Sequence, residues 1–379
     1  MLTPLTLLLA ILQIQRPTWL PSYIPELQGL RGIAVLSVVF YHCHPRLEGT
    51  WVYSSSLWGW TGVNLFFVLS GFLITSILLE ARWKPHYFRN FYGRRALRIW
   101  PVYVLVLAVC YLNAQWFVGS TTIDAIRTAP WWAYVLFVQN LFRLALPSSI
   151  GPTWSLAIEE QYYFLWAPLV RILRRPWMLG SFLATALIAA PLLRLTHFDW
   201  ITPTHTVTHI DGIAMGSLLA LGLYTLPVSR RTWLAIGLIA IPTGFLAAAT
   251  IAGGTAFLDT ALTTGFAGSV LAAIASTTGV PGDRREPSGW SRGWRGARNP
   301  INTLLSRGPL AFYGRISYGL YMIHIMVFVY FGWFDARMDK YGIPGNLAVV
   351  AFRLAASTAL ATALWYGFES RILKLKRYF

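Results

Sequence analysis

The sequence predicts an all-α fold, a polytopic membrane bundle of about ten transmembrane helices with an N-terminal interfacial helix and a re-entrant segment. Three observations predict it. Charged residues make up 12% of the 379 and hydrophobic ones 56%, whereas a soluble domain carries about 25% charged residues. Apolar runs of roughly 20 residues, the length that crosses a bilayer, recur along the whole chain. Lys and Arg gather in alternate connections between those runs, as they do on the cytoplasmic side of membrane proteins.

Residues 1–15, MLTPLTLLLAILQIQ, open the chain. They are apolar but short for a span, and they lack the basic n-region and small-residue cleavage site of a signal peptide. An interfacial helix is expected there, within an N-terminal extension of residues 1–23 that precedes a membrane domain over 24–379. No soluble domain is expected at either end.

Ten spans follow, at about 28–45, 60–79, 99–117, 154–172, 178–195, 209–226, 232–250, 256–278, 310–334 and 346–369. With the first N-terminus in the cytoplasm, the inner segments are 80–98, 171–177, 227–231, 279–309 and the tail from Ser370. Together with Arg16, Arg31 and Arg315 they hold 24 of the 31 Lys and Arg. The other seven are Arg46, Arg127, Arg143, Arg194, Arg337, Lys340 and Arg353. This bias supports the count and the orientation, with the C-terminus expected in the cytoplasm. It also accounts for the net charge of +17 without a nucleic-acid partner. Cys43 and Cys110 both fall in spans and imply no disulfide framework.

Trp131–Pro147, WWAYVLFVQNLFRLALP, resembles an eleventh span. Counting it would carry Arg171, Arg174 and Arg175 outside. It is therefore expected as a re-entrant or interfacial segment on the outer side, since irregular backbone at depth is tolerated where protein buries it. Residues 280–309 are polar and rich in Arg, Gly and Pro, a cytoplasmic connection.

Six stretches carry polar groups into apolar surroundings, where they face a protein interior or a water-filled cavity. In QGLRGIAVLSVVFYHCH, Arg31 and His42 are eleven positions apart, hence on one helical face and about 16 Å apart along the axis. Ser70 and Gly71 in GVNLFFVLSGFLIT favour close helix packing. Arg94, Arg95 and Arg98 crowd the segment FYGRRALRIWPVY. Guanidinium forks suit phosphate oxygens, of a ligand or of anionic lipid.

In GPTWSLAIEEQYYFLW the adjacent Glu159 and Glu160 point about 100° apart, so one can line a cavity while the other meets a partner. A carboxylate beside a histidine fixes and activates a base; a carboxylate beside an intramembrane arginine is structural. Ser317, Tyr321 and His324 step by four and three along one stripe of GRISYGLYMIHIMV. Asp211 stands among small residues in HIDGIAMGSLLALG. His205 and His209 have a metal spacing but no evident third ligand, and no metal is expected.

Taken together these stretches resemble the acyltransferase-3 family of integral membrane O-acyltransferases. The likeness covers about residues 24–379, in the stand-alone type. It rests on Arg31 and His42 separated by ten residues, FFVLSGFL at Phe66–Leu73, and Arg95-x-x-Arg98 after Phe91-Tyr92. Trp154–Glu160 and Ile316–His324 complete it. Where the family often carries an arginine two residues before the aspartate of the sixth span, this chain has His209.

The resemblance implies an acyltransferase outside the amino-acyl class, with no bound cofactor. It would move an acyl group, usually acetyl, from acetyl-CoA or another acyl-CoA co-substrate onto a hydroxyl of a carbohydrate or glycolipid acceptor. It implies His42 as general base, with Glu159 and Glu160 in the catalytic set. Arg31, Arg94, Arg95, Arg98, Asp211, Ser317, Tyr321 and His324 would bind substrate, in a bacterial inner membrane. The competing class is a proton-coupled secondary transporter using intramembrane His, Glu and Asp. Against it, the sequence shows no inverted repeat and no matched pair of broken helices.

Overall fold

The computed structural model describes residues 14–116, 130–142, 150–196, 204–251, 256–277 and 300–379. The expected interfacial helix near the N-terminus, Arg143 and most of the 280–309 connection lie outside the described residues. Ten helices of 17 to 30 residues stand where the ten spans are expected. They are α1 (Glu26–His42), α2 (Gly62–Ala81), α3 (Tyr87–Trp116), α4 (Thr153–Ile172) and α5 (Pro176–Leu195), then α6 (Thr206–Thr225), α7 (Arg230–Ile251), α8 (Leu258–Ser276), α9 (Gly308–Tyr330) and α10 (Gly342–Leu364).

Among the described residues, eight segments are long and apolar enough to cross a membrane. The two helices outside that set are α1, which is only 17 residues long, and α4, which carries Glu159, Glu160 and Gln161. Both pack within the bundle and carry polar groups into it, as the argument from intramembrane charge requires.

One boundary differs from the expectation. Residues 80–98 are not a connecting loop, because α3 already begins at Tyr87 and continues through Pro101. Arg94, Arg95 and Arg98 are therefore helical, with Arg95 and Arg98 on one face and Arg94 turned away from it. The cue was masked by Pro85 and Pro101, which bracket the arginines and read as breakers. Pro101 lacks an amide proton, a loss tolerated inside membrane bundles where neighbouring groups satisfy the freed carbonyl.

The described part of the Trp131–Pro147 segment, which ends at Phe142, folds back on itself. Its helix is Trp131–Val135, a single turn, and a second short turn follows at Gln139–Leu141. Between them Phe137 has φ 53°, and the rings of Trp132 and Phe142 meet edge to face at 5.6 Å. Buried side chains hold it: Gln139 donates to Thr153 O at 3.1 Å, and Gln161 of α4 donates to Phe137 O at 2.6 Å and Asn140 Oδ1 at 2.8 Å.

Helix pairs approach through small residues. α1 lies against α9, and a Cβ at Gly314 would overlap the carbonyl of Gln28, as one at Gly32 would overlap that of Leu310. Contact this close is available only without side chains. It holds the two polar stripes, on α1 and on α9, face to face. α2 meets α6 in the same way at Gly71 and Gly216. α4 is locked behind them by Trp166, whose ring N–H donates to Thr75 Oγ1 at 2.8 Å.

Candidate active site

The α1–α9 contact brings two pairs of side chains together. Toward the N-terminal ends of the two helices, Arg31 donates to Ser317 Oγ from Nη2 at 3.0 Å and from Nε at 3.3 Å. Three turns later on α1 and two turns later on α9, His42 Nδ1 lies 3.2 Å from His324 Nε2. The partners are eleven residues apart on α1 and seven on α9, and the second pair lies later than the first on both helices. Here both helices begin at the basic end of the bundle, so they run parallel.

The protonation pattern of the histidine pair follows from its carbonyl partners. His324 Nδ1 lies 2.7 Å from Tyr321 O, and a carbonyl oxygen only accepts. Nδ1 of the neutral ring therefore carries the proton and Nε2 accepts from His42. His42 Nδ1 lies 2.9 Å from Val38 O, so it too carries the proton. The lone pair of His42 is then on Nε2, on a ring that is half-buried. That is the tautomer a general base at Nε2 needs.

A cavity of about 200 Å³ lies beside the two stripes. Arg31, Arg95, Arg98, Glu159, Ser317 and Tyr321 supply its polar wall, and apolar residues of α2 from Val63 to Ile77 supply much of the rest. Tyr321 OH is 2.6 Å from Ser155 Oγ, which itself donates to Pro152 O. Tyr321 is thus the donor, and this pair bounds the cavity on the side of the histidines. Arg95 stacks on Tyr163 at 4.2 Å from the ring centroid.

Several expected site residues are placed differently. Glu159 is not beside His42: its Oε1 accepts from Ser70 at 2.9 Å and its Oε2 from Tyr163 at 2.8 Å. The α4 register turns it toward the arginines, and the carbonyl of Val38 orients His42 instead. Glu160, about 100° around the helix, is outside the cavity wall, with Oε1 buried and unpartnered. Arg94 also leaves the cluster, and its Nε donates to Phe379 O at 2.8 Å.

Asp211 is buried, 1% exposed, and accepts from Arg194 Nη2 at 2.7 Å and Thr260 Oγ1 at 2.6 Å. An interior ion pair leaves no oxygen facing the cavity. The guanidinium that the sixth-span pattern lacks at His209 thus arrives from α5 as Arg194. Its position among the seven arginines and lysines outside the charge bias was the signal. Ser70, Ser155 and Tyr163 join the site unannounced, since hydroxyls are common in packed membrane helices.

A family model described as an acyltransferase domain matches residues 24–366. The O-acetyltransferase OatA of Staphylococcus aureus is 26% identical over 392 residues, covering 94% of this chain and 58% of that protein. The peptidoglycan O-acetyltransferase OatA of Listeria monocytogenes is 35% identical over 156 residues, 38% of this chain and 24% of that one. The putative peptidoglycan O-acetyltransferase YrhL of Bacillus subtilis is 37% identical over 157 residues, 38% and 23%. The chain spans less than two thirds of the length of each of these relatives. No solved structure matches.

Proposed function

Because this chain belongs to the acyltransferase-3 family and is an acyl-transferring membrane enzyme, we propose that it moves an acetyl group from acetyl-CoA to a hydroxyl of a carbohydrate. The observation that carries the reading is the cavity with three guanidiniums in its wall and a histidine base further along the same helix face. Arg31, Arg95 and Arg98 bind the phosphates of the donor from the basic, cytoplasmic end, each as a charged fork. The pantetheine arm runs along the apolar wall of α2 and brings the thioester toward Tyr321 and His42.

In the transfer step His42 Nε2 takes the proton of the acceptor hydroxyl as its oxygen attacks the thioester carbon. The C–S bond breaks, and the CoA thiolate leaves and takes up a proton. His324 and the Val38 carbonyl hold the His42 ring and accept from the Nδ1–H that gains positive character. Tyr321, whose O–H is given to Ser155 Oγ in the donor-free enzyme, turns that O–H to the thioester carbonyl oxygen as negative charge develops on it. The acceptor arrives from the outer face. The relatives named as peptidoglycan O-acetyltransferases support a cell-wall glycan.

The test uses purified protein in detergent, radiolabelled acetyl-CoA and peptidoglycan oligosaccharides. Label recovered as an alkali-labile ester on the glycan is expected. If label reaches neither the glycan nor any surface polysaccharide offered in its place, while acetyl-CoA is bound, the acceptor assignment is wrong. If acetyl-CoA is not bound at all, the donor assignment is wrong.

A further inference from the structure

The last spanning helix does not end as an α-helix. Trp365–Glu369 form a π-turn between α10 and the basic tail, and isolated π-turns concentrate at functional sites. The residue this turn delivers is Glu369. It is 4% exposed, and its Oε1 is buried without a hydrogen-bond partner. It packs on Gly319 of α9, where an added Cβ would come within 2.7 Å of Oε1.

Gly319 follows Ser317 and Tyr318, both in the cavity wall. Arg98 lies over the ring of Trp365, the first residue of the same π-turn, at 6.0 Å from its centroid, and Arg98 and Arg31, both in that wall, are the cations whose field reaches the Glu369 carboxylate. Tyr318 does not donate to it, because its hydroxyl is committed to Ile99 O at 2.7 Å. Nothing in the transfer step described above uses Glu369.

Buried guanidiniums are costly without a counter-charge. The two nearby carboxylates differ in how firmly they are tied. Glu159 is held by two hydroxyls, whereas Glu369 keeps one oxygen unpartnered. We propose that Glu369 is the internal counter-anion of the donor cavity: it balances Arg98 and Arg31 in the donor-free enzyme and yields them to an anionic donor group on binding. The proposal makes Glu369 a positioning residue acting through Arg98, and it rests on the reading of these arginines as the donor-phosphate site.

The neutral substitution Glu369→Gln removes the competitor and keeps the shape. A single nearby charge shifts ionic equilibria by one to three log units, so CoA should bind about tenfold tighter or more. In steady state KM for acetyl-CoA should fall, and kcat should fall with it as product CoA leaves more slowly. Glu369→Asp keeps the competing charge and should not tighten binding. A merely structural role predicts the reverse, weaker binding in every variant.

The measurement is calorimetric titration of the detergent-purified enzyme with two probes, coenzyme A and inorganic pyrophosphate. Glu369→Ala serves as a second neutral variant should the glutamine variant not fold, with the same tightening expected. Tighter binding of both probes to a neutral variant, absent in Glu369→Asp, supports the inference. Unchanged or weaker binding in a folded neutral variant overturns it. If pyrophosphate tightens but CoA binds to neither protein, the donor reading falls and the counter-anion role stands. If neither probe binds either protein, both fall.

Discussion

His324 Nε2 accepts from His42 Nδ1 across the α1–α9 interface at 3.2 Å, so a ring on one helix sets which nitrogen of the other is free. The partner is fully buried and its own Nδ1 is committed to Tyr321 O. It cannot turn to offer a proton without breaking that bond. The pairing therefore selects the tautomer of His42 in which Nε2 is the base.

The first prediction follows from that selection. Glutamine at position 324 keeps polar character but not the fixed acceptor. A hydrogen bond to a group that gains charge contributes about 1.5–3 kcal/mol, so His324→Gln should lower kcat roughly ten- to hundredfold. KM for acetyl-CoA should hardly move, since the phosphate end of the cavity is untouched. Initial-rate kinetics on both substrates check this. Normal kcat in a folded His324→Gln enzyme would mean that Val38 O alone orients the base.

A second prediction separates the arginines that face the cavity from the one that does not. Arg95→Ala loses a charge-assisted fork worth about 1.5–3 kcal/mol and its stacking on Tyr163. CoA affinity should drop about ten- to hundredfold. Arg95→Lys should recover only part of it, because the planar fork is gone. Arg94→Ala should have a much smaller effect, because Arg94 is tied to Phe379 O. Binding isotherms with CoA decide it, and equal losses at positions 94 and 95 would contradict the placement.

Much of this site was legible in the sequence, and the reasons divide cleanly. Arg31 and His42 share a face because the helical period is fixed, and Ser317, Tyr321 and His324 do so for the same reason. That the two stripes face each other was not legible. His42 and His324 are 282 positions apart, and their meeting depends on close contact at Gly32 and Gly314, which are two among 31 glycines. Apolar runs and charge bias together marked the ten long helices of the described residues, yet they also invited a loop over 80–98, because arginines at a helix end carry the same signature as arginines in a connection. Glu159 was placed in the site for a different task. A helix wheel says that Glu159 and Glu160 diverge, but not which neighbour each will meet.

The third prediction tests the contact that builds the site. A methyl group at Gly314 would overlap the main-chain carbonyl of Gln28, and backbone cannot step aside as a flexible side chain would. Overpacking of this kind costs about 1–3 kcal/mol. Gly314→Ala should lower the thermal unfolding midpoint in detergent and also depress kcat, because α1 and α9 separate along both polar pairs. Gly332→Ala is the control, since a Cβ there meets nothing within 4 Å. If Gly314→Ala matched that control in stability and rate, the α1–α9 spacing would not be what aligns the site.

The last prediction concerns what His42 does with the acetyl group. As a general base, Nε2 removes the proton from the acceptor hydroxyl, and the acetyl group passes directly from sulfur to oxygen. In the variant mechanism Nε2 attacks the thioester itself, and an acetyl-imidazole waits for the acceptor. Both use the same lone pair, so His42→Ala should cost about 10²–10⁴ in rate by either route while CoA binding persists. The routes separate when the acceptor is withheld. A relay leaves radiolabel on the protein after incubation with labelled acetyl-CoA, and that label disappears in His42→Ala. Direct transfer leaves none. The geometry favours direct transfer: acylation at Nε2 would leave Nδ1 protonated between Val38 O and His324 Nε2, with no group holding a lone pair to deprotonate the incoming hydroxyl. His324 could take that role only by giving up its bond to His42. Label retained on wild-type enzyme and absent from His42→Ala would establish the relay in spite of this argument.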